Sequence, residues 1–193
     1  MHRERSERKT LLLHACCAPC ASTCLTRLMQ DFAVTVFYYN PNITDRDEYA
    51  KRCAELERLI RLMNEEYAGD ISLMKGTWEP TLFFEKTKGM EQIEEGGERC
   101  FLCYEMRLFK TAELARANDF SYFATTLTLS PLKNAEKLNE IGFRISDETG
   151  VSYLPSDFKK RDGYRLSIEL SQKYDLYRQN YCGCIYSQRT DQT

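Results

Sequence analysis

Two apolar, β-rich runs, TLLLHA at residues 10–15 and VTVFYYN at 34–40, are separated by about one helix's length of chain. The alternation continues. ISLMK (71–75), FSYFATTLT (120–128) and VSYLP (151–155) read as further strands. Between them, Pro19 fits the first turn of a helix running to about Phe32. Residues 44–68 carry Tyr49, Cys53, Leu56, Ile60, Met63 and Tyr67 at steps of four and three, which makes one apolar helical stripe. EPTLFFEKT opens another helix, and further helices run from the EEGGE loop (94–98) to about Asn118, from about Leu132, and over GYRLSIELSQKYDL. Strands joined by crossovers of a dozen or more residues pair in parallel. The expected fold is therefore α/β: a parallel sheet flanked by helices, one domain over residues 1–193. Its α/β core covers 10–155, and a C-terminal helix with a cysteine-bearing tail covers 156–193. Sites in such sheets lie beyond the carboxyl ends of the strands. His14 to Cys20 falls there, and Thr125, Thr126, Asp157 and Phe158 are expected near the same edge.

The loop after the first strand is HACCAPC, three cysteines in five positions. No apolar run approaches the roughly 20 residues needed to span a bilayer. The charged start MHRERSERK precedes no signal-peptide core, so a cytoplasmic chain without a membrane partner is expected. Nine cysteines in a reducing compartment point to metal or redox chemistry rather than structural disulfides. Cys24 shares a helix face with Ala21, Leu25, Leu28 and Phe32, and Cys53 lies on the apolar stripe. Both read as small core hydrophobes.

Seven cysteines remain, in three clusters: Cys16, Cys17 and Cys20; Cys100 and Cys103; Cys182 and Cys184. C-x-x-C spacing at the start of a helix lets two sulfurs converge where the helix dipole suits negative charge. Four thiolates could equally hold a structural zinc, which would leave three sulfurs unused. The C-x-C pair, with Gly183 free to bend between its cysteines, can share a metal or close a short, labile disulfide.

The net charge of −2 excludes a generally basic nucleic-acid binder. Residues 158–189, however, hold seven Lys/Arg against three Asp/Glu, a balance of +4, and the remaining residues carry −6. Five tyrosines, Tyr164, Tyr174, Tyr177, Tyr181 and Tyr186, interleave with these cations. That combination suits unpaired RNA, where phosphates need charge and bases need aromatic faces. Lys159, Lys160, Arg161, Arg165 and Arg178 are the candidate contacts. Tyr174 and Tyr177 also fit core positions beside Leu166 and Leu170.

LLLHACCAPC, RCFLCYEMRL, TTLTLSPLKN and DFKKRDGYRLSIELSQKYDLYRQNYCGC, in that order, resemble the motifs of the cobalamin-independent epoxyqueuosine reductases of the QueH type. The resemblance runs from about Leu11 to Ser187. It implies a Rossmann-like, nucleotide α-hydrolase-like fold. It implies an enzyme that reduces epoxyqueuosine in tRNA to queuosine, the last step of queuosine formation, on an anticodon loop and with an external electron donor. It implies a [4Fe–4S] cluster with a second, mononuclear iron beside it. By motif, the cluster ligands are Cys16, Cys17, Cys100 and Cys103, and Cys182 and Cys184 form a redox-active, disulfide-forming pair. Cys20 and Asp157 are the candidates for the second iron. Asp157, Asp162, Tyr164 and His14 are candidate proton donors to the leaving oxygen. Two other readings of the same residues are an iron–sulfur tRNA sulfur-transfer enzyme and a zinc-stabilised RNA-binding module without catalysis. The first of these wants a glycine-rich phosphate turn, which HACCAPC does not supply.

Overall fold

The computed structural model describes residues 8–188; the N-terminal charged run up to residue 7 and Arg189 lie outside the described residues. Five parallel strands form one sheet: β1 (Lys9–Ala15), β2 (Phe32–Tyr38), β3 (Ser72–Lys75), β4 (Tyr122–Thr125) and β5 (Ser152–Tyr153). Their order is β3-β2-β1-β4-β5. The chain therefore reverses its direction of travel across the sheet between β1 and β4, which opens a crevice at their carboxyl ends.

Alternate residues of β1 and β2 enter two cores. Leu11, Leu13, Ala15, Val34, Val36 and Tyr38 pack on one face, against α1 (Ala18–Leu28), α2 (Arg46–Tyr67) and α6 (Gly163–Lys173). Leu12, Phe37 and Tyr39 pack on the other, against α4 (Glu98–Ala117) and α5 (Ala135–Thr149). A short helix, α3 (Pro80–Lys86), contributes Phe83 to a third, small apolar cluster with Cys103 and Cys184. The α2 stripe holds as read: Leu56, Ile60 and Met63 are buried, and Tyr49, Cys53 and Tyr67 lie partly buried against the same core. Cys24 is fully buried in that core. Among the described residues no helix is long and apolar enough to cross a membrane.

Several boundaries differ from the sequence reading: α1 ends at Leu28 and Phe32 opens β2, and α6 ends at Lys173, short of Leu176. The fourth strand stops at Thr125 rather than continuing to 128, because the Thr125 hydroxyl accepts a hydrogen bond from Leu127 N (3.1 Å) and turns the chain into a 3-10 segment, Thr126–Leu129. The next helix begins at Ala135 rather than near Leu132, where Asn134 caps it by accepting from Lys137 N (3.0 Å).

The C-terminal segment is not a loose tail. Phe158, Leu170, Tyr174 and Leu176 are buried in the first core. The loop before α6 places Arg161 and Asp162 in the left-handed region (φ 52 and 57). Arg27 braces it by donating to the carbonyls of Phe158, Lys160 and Arg161. Beyond α6, Arg58 donates to the carbonyls of Tyr174 and Asp175, and Glu55 accepts from Tyr177 N. Arg52, only 1% exposed, is the main clamp. It pairs with Glu48 at 2.7 Å and donates to the carbonyls of Cys182 (3.1 Å) and Tyr181 (3.3 Å). Gly183, at φ 100, seats against Ile43, where a Cβ would come within 2.7 Å of Ile43 Cγ1. Removing one partner of a buried ion pair typically costs about 3–5 kcal/mol. Arg52→Met is therefore expected to lower unfolding free energy by about 3 kcal/mol and to expose the Tyr177–Ser187 segment to protease. Urea denaturation with limited proteolysis measures both, and wild-type values for the two would place the tail's anchorage elsewhere.

Candidate metal and redox centre

The crevice between β1 and β4 is framed by a buried hydrogen-bond relay. His14 and Thr125 are partners in the β1–β4 register. His14 Nε2 lies 3.0 Å from the Tyr39 carbonyl, which can only accept, so Nε2 carries the proton. Nδ1 is then an acceptor, taking the hydroxyl hydrogen of Thr125 at 3.1 Å. Burial, and secondarily the charge of Arg107, push the imidazole down to about 4. His14 is thus a neutral structural residue that ties the ends of β1, β2 and β4 together, with its one ring proton held by the Tyr39 carbonyl.

Immediately after β1, Cys17 takes the N-cap position of α1 in an extended conformation, and Cys20 lies in that helix's first turn behind Pro19. This short path folds the cysteines back on one another. The sulfurs of Cys16, Cys17 and Cys20 all lie within 4.8 Å, with Cys16 and Cys17 Sγ 3.7 Å apart. The three behave as one coupled unit. Hydrogen bonds from Cys17 and then Cys20 hold Cys16 well below the usual thiol range, whereas Cys17 is pushed up to about 12 and Cys20 well above its ordinary value. Of the three, Cys16 is the sulfur that its neighbours favour as a thiolate.

Cys100 and Cys103 come from the first two turns of α4. Cys100 Sγ accepts from Gly96 N at 3.2 Å and packs on the apolar cluster that contains Cys16 and Cys17. Cys103 packs instead with Cys184 and Phe83. Burial pushes Cys103 up to about 12 and Cys184 up to about 11. Asn42 Nδ2 lies 3.8 Å from Cys182 Sγ, which adds a weak donor beside that sulfur. All nine cysteines are unbridged, so the Cys182–Cys184 disulfide implied by the family resemblance is not formed in this structure.

Two cavities meet at these sulfurs. The larger, about 380 Å³, is walled by Cys16, Cys20 and Cys182, with Tyr164, Tyr181 and Lys133 among its other walls. The smaller lies against Cys100, Cys103, Cys182 and Cys184, with Arg107 and Lys133 beside them. Cys182, Lys133, Glu95 and Ser187 line both. The chain thus brings sulfurs from its beginning, middle and end to one edge of the sheet.

The remaining sequence candidates are distributed differently. Asp157 lines neither of these cavities; Lys159 Nζ lies 3.1 Å and Lys160 Nζ 3.6 Å from its carboxylate. Asp162 is an exposed residue paired with Arg165. Tyr164 is the one proton-donor candidate on the wall of the larger cavity. Lys160 and Arg165 stand out in solvent, at 78% and 72% side-chain exposure. Lys159 is partly shielded by Asp157, and Arg161 sits in the strained loop held by Arg27. Arg178 reaches the cavity wall while donating to Ser167 O and Ser171 Oγ. Tyr174 and Tyr177 hydrogen-bond to Glu66 and Glu48 respectively, so they serve packing rather than base stacking.

Sequence reasoning missed Lys133, Arg107 and Arg52. Lys133 and Arg107 lie inside the motifs TTLTLSPLKN and RCFLCYEMRL, but an isolated cation in a motif does not reveal what it faces. Glu48 and Arg52 look like an ordinary i, i+4 surface pair.

A model of the family described as epoxyqueuosine reductase QueH matches residues 11–190. The Epoxyqueuosine reductase QueH of Streptococcus pyogenes serotype M1 is 39% identical over 184 residues, 95% of this chain and 72% of that protein. That of Staphylococcus epidermidis is 40% identical over 183 residues, 94% and 77% respectively. That of Thermotoga maritima is 35% identical over 180 residues, 92% of this chain and 90% of that protein. Among solved structures, the U34-tRNA thiolase NcsA from Methanococcus maripaludis with its [4Fe-4S] cluster superposes at a TM-score of 0.47 with 11% identity, covering 94% of this chain and 62% of that one. That superposition is too loose to carry an argument. The family match over nearly the whole chain, with relatives well above 30% identity, is decisive: the chain belongs to the QueH family of epoxyqueuosine reductases.

Proposed function

We propose that this chain reduces epoxyqueuosine in tRNA to queuosine at the cavity walled by Cys16, Cys20 and Cys182, with Cys16, Cys17, Cys100 and Cys103 holding a [4Fe–4S] cluster. The observation that carries this reading is the convergence of cysteines from three distant segments beside a 380 Å³ cavity. The donor set fits an iron–sulfur centre. All the donors are soft sulfurs. Two helix N-termini bring Cys20 and Cys100, and half-buried Lys133 and buried Arg107 supply positive charge next to them. Bound there, thiolate-ligated iron supplies electrons at low potential and, where a coordination position is open, a Lewis acid. Cys20 is our proposed ligand for a second iron. Asp157 would have to leave Lys159 and Lys160 to join it.

The reaction breaks both C–O bonds of the epoxide, forms a C=C bond, consumes two electrons and two protons, and releases water. Oxidation of Cys182 and Cys184 to a disulfide yields two electrons and two protons, which matches that demand. An external electron donor in the cytoplasm then restores the dithiol. Arg52 and Asn42 hold the Cys182 carbonyl and so keep the pair at the cavity. Proton-bearing groups on the wall are Lys133 Nζ and the Tyr164 hydroxyl. Burial works against the charge on Lys133, but Cys182 and Cys16 outweigh it and hold the ammonium form. The substrate base comes from a single-stranded anticodon loop, so it can enter without opening a duplex. Tyr164 and Tyr181 give that base aromatic walls, and Lys160, Arg161 and Arg165 flank Tyr164 in sequence as candidate phosphate contacts.

Nucleoside mass spectrometry of epoxyqueuosine-containing tRNA, incubated anaerobically with iron-loaded protein and reductant, tests the reading. Conversion to queuosine is expected; a colourless, zinc-containing protein that leaves the nucleoside unchanged would refute it. Lys133→Met should lower kcat by roughly 100-fold, in the range for a lost fixed donor to a developing negative oxygen, with iron content unchanged. Equal turnover would remove Lys133 from the reaction. The double variant Lys160→Glu, Arg165→Glu should weaken tRNA binding at low salt and flatten the dependence of log Kd on log salt by about one unit per lost phosphate contact. An unaltered salt slope would move the tRNA footprint elsewhere.

A further inference from the structure

Arg107 stands out among the buried cations. It is 1% exposed, on α4 one turn beyond Cys103. Its Nε donates to the Cys103 carbonyl at 3.0 Å. Both terminal nitrogens, Nη1 and Nη2, are buried and have no hydrogen-bond partner among the described residues. The other two fully buried arginines differ. Arg52 is paired with Glu48 and two carbonyls, and Arg99 Nη1 donates to the carbonyls of Met90 (2.8 Å) and Glu91 (3.1 Å). A guanidinium cannot shed its charge, and a buried unpaired one is costly. Four N–H donors without a protein partner in a buried crevice therefore imply an acceptor that the polypeptide does not supply.

The surroundings identify that acceptor's chemistry. Arg107 shares its crevice with Cys100, Cys103, Cys182 and Cys184, and with one carboxylate residue, Glu95. No acidic side chain lies within ion-pair distance of it among the described residues. The anions that do reach it are sulfurs: Cys103, Cys182 and Cys16 raise its affinity for its proton against the effect of burial.

We propose that Arg107 is a positioning residue that directs its free N–H donors at the sulfur of the metal centre and thereby sets the centre's reduction potential. The proposal rests on the reading that these cysteines hold a [4Fe–4S] cluster. A four-thiolate cluster is anionic and gains one more negative charge on one-electron reduction. A fixed cation and N–H donors at its sulfur favour the reduced form more than the oxidised one, so they raise the potential. The planar fork of arginine can address two acceptors at once. Lysine keeps the charge but loses the fork.

The test uses the full chain, reconstituted anaerobically, as wild type and as Arg107→Lys and Arg107→Gln. Iron per chain and visible absorption report cluster assembly, and a potentiometric titration followed by electron paramagnetic resonance reports the potential. Arg107→Gln is expected to load iron like wild type and to disfavour reduction at least tenfold, which is about 59 mV for a one-electron couple. Arg107→Lys is expected to fall between the two. Variants that load iron and titrate with wild type overturn the proposal while leaving the cluster reading intact. Loss of iron in Arg107→Gln, with Arg107→Lys loaded and at the wild-type potential, also overturns it by making Arg107 structural. A wild type that binds no iron removes the cluster reading itself, and the role of Arg107 with it.

Discussion

One side-chain relay fixes the ends of three strands. The Thr125 hydroxyl donates to His14 Nδ1 and accepts from Leu127 N, while His14 Nε2 donates to the Tyr39 carbonyl. These contacts join β4, β1 and β2 where each gives way to a loop. The relay needs a neutral imidazole with its proton on Nε2, and burial secures that form. Much of the site hangs on those three exits, and α4 brings Cys100, Cys103 and Arg107 to meet them. The cysteine loop leaves β1, the segment that cradles Gly183 leaves β2, and the turn leading to Lys133 leaves β4. A change at Thr125 or His14 would shift all three at once, so the histidine beside the cysteines is best understood as a brace.

The site solves an electrostatic problem inside a chain of net charge −2. Several sulfurs as close together as those of Cys16, Cys17 and Cys20 resist simultaneous deprotonation, because like charges in a buried site repel. Lys133 and Arg107 offset that repulsion from the α5 side and the α4 side of the crevice. Two helix N-termini contribute in the same direction. The resulting pocket favours electron-rich sulfur and also suits an oxygen that becomes negative as its carbon–oxygen bonds break. The same positive charge can serve both the centre and the reaction beside it.

Much of the architecture was legible from sequence because it depends on local periodicity. The α2 stripe, the parallel alternation and the placement of HACCAPC at a strand end follow from residue spacing alone. The fourth strand was read too long because Thr125, a good strand residue, spends its hydroxyl on turning the chain. The site was legible as a set of cysteines but not as a geometry. Nothing local tells that Cys103 packs with Cys184, or that Arg52 reaches 130 positions along the chain to hold Cys182. Asp157 looked available because sequence does not show that Lys159 and Lys160 fold back onto it. Arg178 looked like a free cation, yet Ser167 and Ser171 brace it.

The central claim is that sulfurs from the beginning and middle of the chain build one polynuclear iron centre at the β1–β4 switch. Mössbauer spectroscopy of the anaerobically prepared, iron-57-enriched protein tests it most directly. The account predicts the quadrupole doublets of a sulfur-ligated [4Fe–4S] cluster, lost when Cys100 is replaced by alanine. A spectrum of isolated, oxygen-ligated iron, or a cluster that persists unchanged in Cys100→Ala, would contradict it.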